Sequence, residues 1–284
     1  MNSFFDVEKE IEMTGVVISG DNLDGSYDSL YTRSNENLDN LFKQFDVSDK
    51  KVLTVLSSAD QFFFSLLNGA GSVDCFDINR LTQYFYYLRK WNIIYNNEFY
   101  LPEKLTGVVI NDLLCKVKDN IQSENEERAY RYWYEFIRTY PTFMYREMFH
   151  TPLRWRQYDI DMDLLKDRIT TNDLNFRCMD LCDRTYNNNY DIIITSNISE
   201  YFSDDYELLS SYKSNLLNLI GDGGSIISSH MMFPTIPSCE ANLFFDEFDV
   251  CEFPSYYDEF YRDISSIKFP LGYSYTKKRD VNKK

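Results

Sequence analysis

Residues 51–79 read KVLTVLSSADQFFFSLLNGAGSVDCFDIN, and the rest of the chain is arranged around them. The apolar, β-branched run over 52–56 predicts a buried strand. Ser57, Ser58, Ala59 and Asp60 predict a turn, residues 61–67 an apolar helix, 68–72 a glycine-bearing loop and 73–77 a second strand. Together they form a βαβ unit. The turn after the first strand of such a unit gathers backbone N–H groups and a helix N-terminus, which suits an anionic group of a ligand. An acid closing the second strand, here Asp77, twenty residues after Ser57, is placed to accept the ribose hydroxyls of a nucleoside. The unit is therefore expected to receive a nucleoside-containing cofactor.

Upstream, residues 1–46 form a separate N-terminal segment. Leu38, Leu41, Phe42 and Phe45 fall at helical spacing, with Ser34 or Asn35 as the expected cap. Two readings stay open: a helix packed on the sheet edge, or a cofactor lid built on Tyr31, Arg33, Asn35 and Glu36. Residues 47–284 are read as one Rossmann-like domain interrupted by a helical insertion at about 92–165. A helix is predicted over 80–91. The aromatic stretch ERAYRYWYEFIRTYPTFMYREMFHTPLRWRQY lies in the insertion, where Pro141 and Pro152 break helices. The insertion reads either as a cap packed on the core or as a wall of the acceptor pocket.

The α/β pattern resumes with short strands predicted over 176–181 and 190–196. An amphipathic helix follows over 206–220, expected to stop at Gly221, and then a strand over 224–229. Two late strands are expected over 248–253 and 272–277, as an antiparallel pair. The fold class expected is α/β, a seven-stranded, mostly parallel sheet flanked by helices.

Composition narrows the function classes. A formal charge of −16 over 284 residues repels phosphate backbones and anionic bilayers, so neither nucleic-acid nor membrane contact is expected. With 23 Tyr and 22 Phe, the chain is rich in faces for planar or cationic ligands. Six cysteines without a C-x-x-C pair, and no signal-peptide pattern, point to a reducing, cytoplasmic setting. Cys178 and Cys182 are expected to pack inside. Two histidines make a Cys/His zinc site an unlikely use of this sequence, and no metal is expected. No apolar run reaches the roughly 20 residues of a membrane-spanning helix.

Several strand ends carry polar groups to one edge: Ser57 to Asp60, then Asp77, then Asp180, then Ser196 with Asn197. This order resembles the class I S-adenosylmethionine-dependent transferases. The resemblance implies that Asp77, with Ile78 and Asn79, binds ribose, that Asp180, with Leu181, binds adenine, and that the segment YDIIITSNISEYF closes over the cofactor. The wording of VLTVLSSADQFFFSLLNGAGSVDCFDIN, with V-D-x-x-D-x-N ending the second strand and Ser-Asn at 196 and 197, is more closely similar to one family. That family contains the bacterial betaine-lipid enzyme, which transfers the 3-amino-3-carboxypropyl group of S-adenosylmethionine to diacylglycerol. The similarity covers roughly residues 30–90 and 175–230. It departs from the methyltransferase pattern in having no glycine between Val52 and Asn68, so Ser57, Ser58 and Ala59 must bring the backbone to the cofactor.

The resemblance implies S-adenosylmethionine as cofactor, with Ser57, Ser58, Ala59, Asp60, Asp77, Ile78, Asn79, Asp180, Leu181, Ser196 and Asn197 around it. Asp60 has two readings, as cap of the helix at 61 or as partner of the cofactor's amino group. Tyr31, Asn197, Glu200, Tyr201 and His230 are the candidates for the reacting end. Tyr31 or Tyr201 would offer a face to the sulfonium, and His230 would serve either as a base or as a structural residue. The acidic surface argues for a soluble small-molecule or peptide acceptor in place of a lipid. Methyl transfer, and a non-catalytic nucleoside-binding protein, are the alternatives. A Rossmann dehydrogenase is disfavoured because G-x-G-x-x-G is absent.

Overall fold

The computed structural model describes residues 6–13, 30–34, 36–102, 105–139, 149–150, 158–181, 189–199, 205–229, 248–254 and 271–277. In chain order the elements are α1 (Val7–Met13), β1 (Leu30–Tyr31), α2 (Leu38–Lys43), β2 (Lys51–Val55), α3 (Asp60–Leu67) and β3 (Ser72–Asp77). There follow α4 (Leu81–Trp91), a π-helical turn (Asn92–Asn96), α5 (Gly107–Val117), α6 (Glu124–Thr139), β4 (Phe149–His150) and α7 (Met162–Thr171). The chain closes with β5 (Asn175–Cys178), β6 (Tyr190–Ser196), α8 (Tyr206–Leu219), β7 (Ile220–Ser229), β8 (Phe248–Pro254) and β9 (Leu271–Lys277). These elements fall into two compact units, one of Met1–Ser34, Ser57–Asp60 and Asp77–Thr171, the other of Asn35–Leu56, Gln61–Phe76 and Asn172–Lys284.

The second unit holds a seven-stranded sheet of order β5-β3-β2-β6-β7-β9-β8. Strands β3, β2, β6 and β7 are mutually parallel, while β9 runs antiparallel between β7 and β8. The order steps outward in both directions from β2, as a doubly wound sheet does, with a reversed hairpin at one edge. The expected mostly parallel seven-stranded sheet and antiparallel late pair are both present. Strand β2 sits at the middle because its residues after Lys51 are all buried, as a strand covered on both faces requires. Leu209, Tyr212, Leu216 and Leu219 of α8 belong to the same buried core cluster as Leu53, Val55, Ile193 and Ile226 of the sheet. Each such Leu or Ile contributes about 1.5–3 kcal/mol of burial. After α3 the chain turns through Gly69 at φ 85, and a Cβ on Gly71 would lie 2.9 Å from the Asp49 carbonyl oxygen, so both positions need glycine.

Three local expectations change. Helix α2 is capped by Asn37, whose side chain accepts from the Asn40 N–H, two to three residues later than the expected Asn35 or Ser34. Helix α8 does not stop at Gly221: it ends at Leu219 with Ile220 already extended, and β7 begins there in place of residue 224. Cys178 is exposed at the end of β5 and does not pack inside. Of the other cysteines with described side chains, Cys75 is buried and Cys115 exposed.

The first unit is helical, with a two-residue parallel pair between β1 and β4. Ten of the eleven α4 residues are buried. Tyr84 stacks flat on Tyr132 at 4.0 Å, and the Trp133 indole N–H donates to the Tyr84 carbonyl at 2.8 Å. Lys90 and Glu126 form a buried ion pair at 2.9 Å. Aromatic pairs account for the ring-rich composition of α4 and α6: the rings of Tyr84, Tyr132, Trp133 and Phe136 pack on one another between the helices. No described helix is long and apolar enough to cross a membrane.

Candidate functional site

Leaving β2, the chain enters a turn with two non-glycine residues in the left-handed region, Ser57 at φ 42 and Ala59 at φ 68. Each such residue costs about 1–2 kcal/mol relative to an ordinary backbone. The turn therefore achieves with serine and alanine what a glycine-rich loop achieves without strain. Its geometry is held from outside. The guanidinium of Arg89, on α4, is fully buried; Nη1 donates to the Ser58 carbonyl and to Asp60 Oδ1, both at 2.7 Å, and Nη2 donates to the Phe99 carbonyl at 3.0 Å.

Asp60 is thereby committed within the protein. Its Oδ1 pairs with Arg89, while Oδ2 accepts the Ser34 N–H and the Ser58 hydroxyl, the latter at 3.1 Å. Asp60 is also the first residue of α3, where a negative charge is favoured. The sequence signal that would have found Arg89 is a basic residue on an otherwise buried helical face, which needs a carboxylate partner.

Arg89 also lies 4.8 Å from the Phe99 ring and 5.0 Å from that of Tyr100, and the Arg33 guanidinium lies 4.4 Å from Tyr100. The loop carrying these rings is shaped by Asn92, the first residue of the π-helical turn. Its amide donates to the carbonyls of Glu98 and Tyr100, both at 2.8 Å, and its oxygen accepts from Asn96 at 2.9 Å. A left-handed Asn97 at φ 58 reverses the chain between them.

Asp77 ends β3 and is 9% exposed. Its Oδ2 accepts the Ser57 N–H and its Oδ1 the Asn79 N–H, both at 2.9 Å. Burial pushes its carboxyl up to about 6, against the smaller opposing effect of the Asn79, Ser57 and Ile78 N–H groups. A carboxylate has about four acceptor positions, so three backbone donors leave capacity for a hydroxyl. Asn79 spends its side-chain oxygen on the Leu81 N–H at the start of α4, at 2.9 Å, and Ile78 is exposed.

In the sheet unit, Ser196 ends β6 with φ 54, beside a register irregularity in its pairing with β7. Its hydroxyl donates to Glu36 Oε1 at 3.0 Å, and its carbonyl accepts the Ser228 hydroxyl at 3.3 Å. Glu36 is fully buried and also accepts the Gln61 amide through Oε2. Asn197 follows with its Oδ1 3.4 Å from the Ser196 hydroxyl. Asp180 is exposed beyond β5, whereas Leu181 packs its side chain into the core and holds its carbonyl to Asn215 at 2.7 Å. Glu200, Tyr201, His230 and the side chain of Tyr31 lie outside the described residues. Among the described residues no group of three His, Cys, Asp or Glu is placed to hold a metal ion.

No protein-family model matches the chain, and no curated protein matches it. Solved structures similar to it include the N-methyltransferase NodS from Bradyrhizobium japonicum, with 8% identity, TM-score 0.41 and coverage of 83% of this chain and 81% of that one. A TehB-like S-adenosylmethionine-dependent methyltransferase from Corynebacterium glutamicum has 9% identity, TM-score 0.40 and coverage of 96% and 98%. A ribosomal-protein methylase from Lactobacillus delbrueckii has 12% identity, TM-score 0.39 and coverage of 84% and 75%. At these values the chain's own residues must carry the functional argument.

Proposed function

We propose that this protein is an S-adenosylmethionine-dependent transferase. The observation that supports the reading most is Asp77: a buried acid at the end of β3, tied to the strained Ser57 turn, with acceptor capacity left for a ribose hydroxyl. In this reading Ser57, Ser58 and Ala59 bring their backbone to the cofactor, Asp60 and Arg89 hold that turn, and Asp180 with Leu181 borders the adenine. Ser196 and Asn197 border the reacting end, with Tyr31, Glu200, Tyr201 and His230 as further candidates.

S-adenosylmethionine supplies a sulfonium whose carbon substituents are open to displacement by a nucleophile. The work left to the chain is to hold the acceptor in line, at about 3–3.5 Å, and to keep water out. Two readings of the moved group follow. The motif wording over 51–79 and at 196 and 197 supports transfer of the 3-amino-3-carboxypropyl group to a soluble small-molecule or peptide nucleophile. Methyl transfer uses the same ribose site with the sulfonium presented by another carbon.

Titration calorimetry with S-adenosylmethionine, S-adenosylhomocysteine and methylthioadenosine tests the common reading. We expect saturable binding, and no heat or thermal shift with any of the three would end it. The by-product formed in step with a modified acceptor separates the two groups: methylthioadenosine for the carboxypropyl group, S-adenosylhomocysteine for methyl.

A further inference from the structure

We propose that Glu36 is a positioning residue that locks the Ser196–Asn197 turn in the conformation the cofactor site uses. The proposal deepens the transferase reading and rests on it for the role of that turn. Glu36 lies 160 residues before Ser196 and is fully buried, yet one carboxylate oxygen takes the Ser196 hydroxyl at 3.0 Å and the other takes the Gln61 amide. The Gln61 amide nitrogen donates to Glu36, which turns its oxygen away from the carboxylate. That Oε1 atom is buried and, among the described residues, has no hydrogen-bond partner, a cost that accompanies the bridge.

The bridge acts on a strained residue. Ser196 has φ 54, a conformation that an L-residue leaves readily unless its surroundings prevent it. Here its hydroxyl is anchored to Glu36 and its carbonyl to Ser228, while the preceding Thr195 hydroxyl donates to the Ile227 carbonyl at 3.1 Å. The β6 backbone is thus fixed on the β7 side by serine and threonine hydroxyls, and the shorter of the two side-chain contacts of the Ser196 hydroxyl goes to Glu36, at 3.0 Å against 3.4 Å to its neighbour Asn197. The carboxylate also joins this turn to the start of α3. Glu36 acts on Ser196 and not on the reacting atoms, so it is a positioning residue.

The test pairs hydrogen exchange with binding. In Glu36→Gln the side-chain volume stays but one of the two acceptor contacts is lost. We expect amide exchange over Ser196 and Asn197 to speed up about tenfold or more, and the affinity for S-adenosylmethionine to fall by a similar factor. Ser196→Ala, which removes the hydroxyl and keeps the strain, should reproduce both effects and serves if the first variant does not fold. The effect of Glu36→Gln should then vanish in a Ser196→Gly background, because glycine needs no anchor at positive φ. Unchanged exchange in both single variants, or a Glu36→Gln effect as large with glycine at 196 as with serine, overturns the proposal. Absence of cofactor binding by the unmodified protein would instead defeat the transferase reading, and the exchange measurements would still decide the role of Glu36.

Discussion

Asp77 carries two opposite demands, and they separate by pH. Its carboxyl is pushed from 3.8 to about 6 by burial, so the folded protein holds that proton more tightly than the unfolded chain does. The resulting stability is fully present below about pH 3.8 and is lost as pH rises through about 6, about 3 kcal/mol in all. Urea unfolding of the native protein and of Asp77→Asn, compared from pH 4 to 7, should show the native protein losing ground to the variant across that window. A constant difference would show that Asp77 does not titrate there. Cofactor affinity should move the other way, because a ribose hydroxyl is best received by the ionised form. Below pH 6 it should weaken on the order of tenfold per unit, and Asp77→Asn should bind poorly at every pH. Arg89 offers the companion test. Arg89→Met leaves Asp60 as a buried charge without its cation, and should destabilise the fold by about 3–5 kcal/mol. Adding Asp60→Asn should recover much of that loss in the same denaturant assay, since the destabilisation comes from the stranded charge.

The elements themselves were well marked in the sequence. Strands β2, β3 and β6 are short apolar runs between polar turns, and α3 and α8 repeat their large side chains at helical spacing, so their positions followed from periodicity alone. Gly221 misled because it resembles a helix stop, yet here it lies within β7, and the end of α8 is set by Ile220 pairing with Tyr190. The site was legible only where one element supplies it. Asp77 and the Ser57 turn lie within one βαβ unit, whereas the pairing of Asp60 with Arg89 and of Ser196 with Glu36 joins positions 29 and 160 residues apart, which no local pattern encodes. The loop after the π-helical turn was equally invisible, since it is held by Asn92 bonding to carbonyls six and eight residues ahead. Asn92→Ala removes both bonds and leaves two carbonyls short of a donor. It should cost about 2–3 kcal/mol and open the Glu98–Tyr100 loop to limited proteolysis. A variant with native stability and cleavage pattern would mean that the rings of Phe99 and Tyr100 hold this loop without Asn92.

At the scale of the whole molecule, charge bears on the acceptor. The family that the motifs resemble contains an enzyme acting on a lipid, but this chain carries 45 acidic against 29 basic residues. Anionic bilayers attract proteins through clustered Lys and Arg, each worth about 1 kcal/mol near the surface, and a net charge of −16 acts against such attraction. The arginines over 128–156 are interleaved with Glu127, Glu135 and Glu147, and Arg128 and Arg138 already lie beside Glu124 and Glu135 on α6. We therefore expect the protein to remain in the supernatant when sedimented with phosphatidylglycerol-rich vesicles, at low salt as well as at physiological ionic strength. Repulsion between exposed like charges is screened over about 8–10 Å in physiological salt. An electrostatic barrier would thus weaken as salt is added, whereas apolar insertion would persist. Sedimentation with vesicles that survives added salt would overturn the soluble-acceptor reading and return a diacylglycerol-like acceptor to first place. Retention in the supernatant throughout directs the search to amine- and thiol-bearing metabolites or peptides, incubated with S-adenosylmethionine and followed by the mass each acceptor gains.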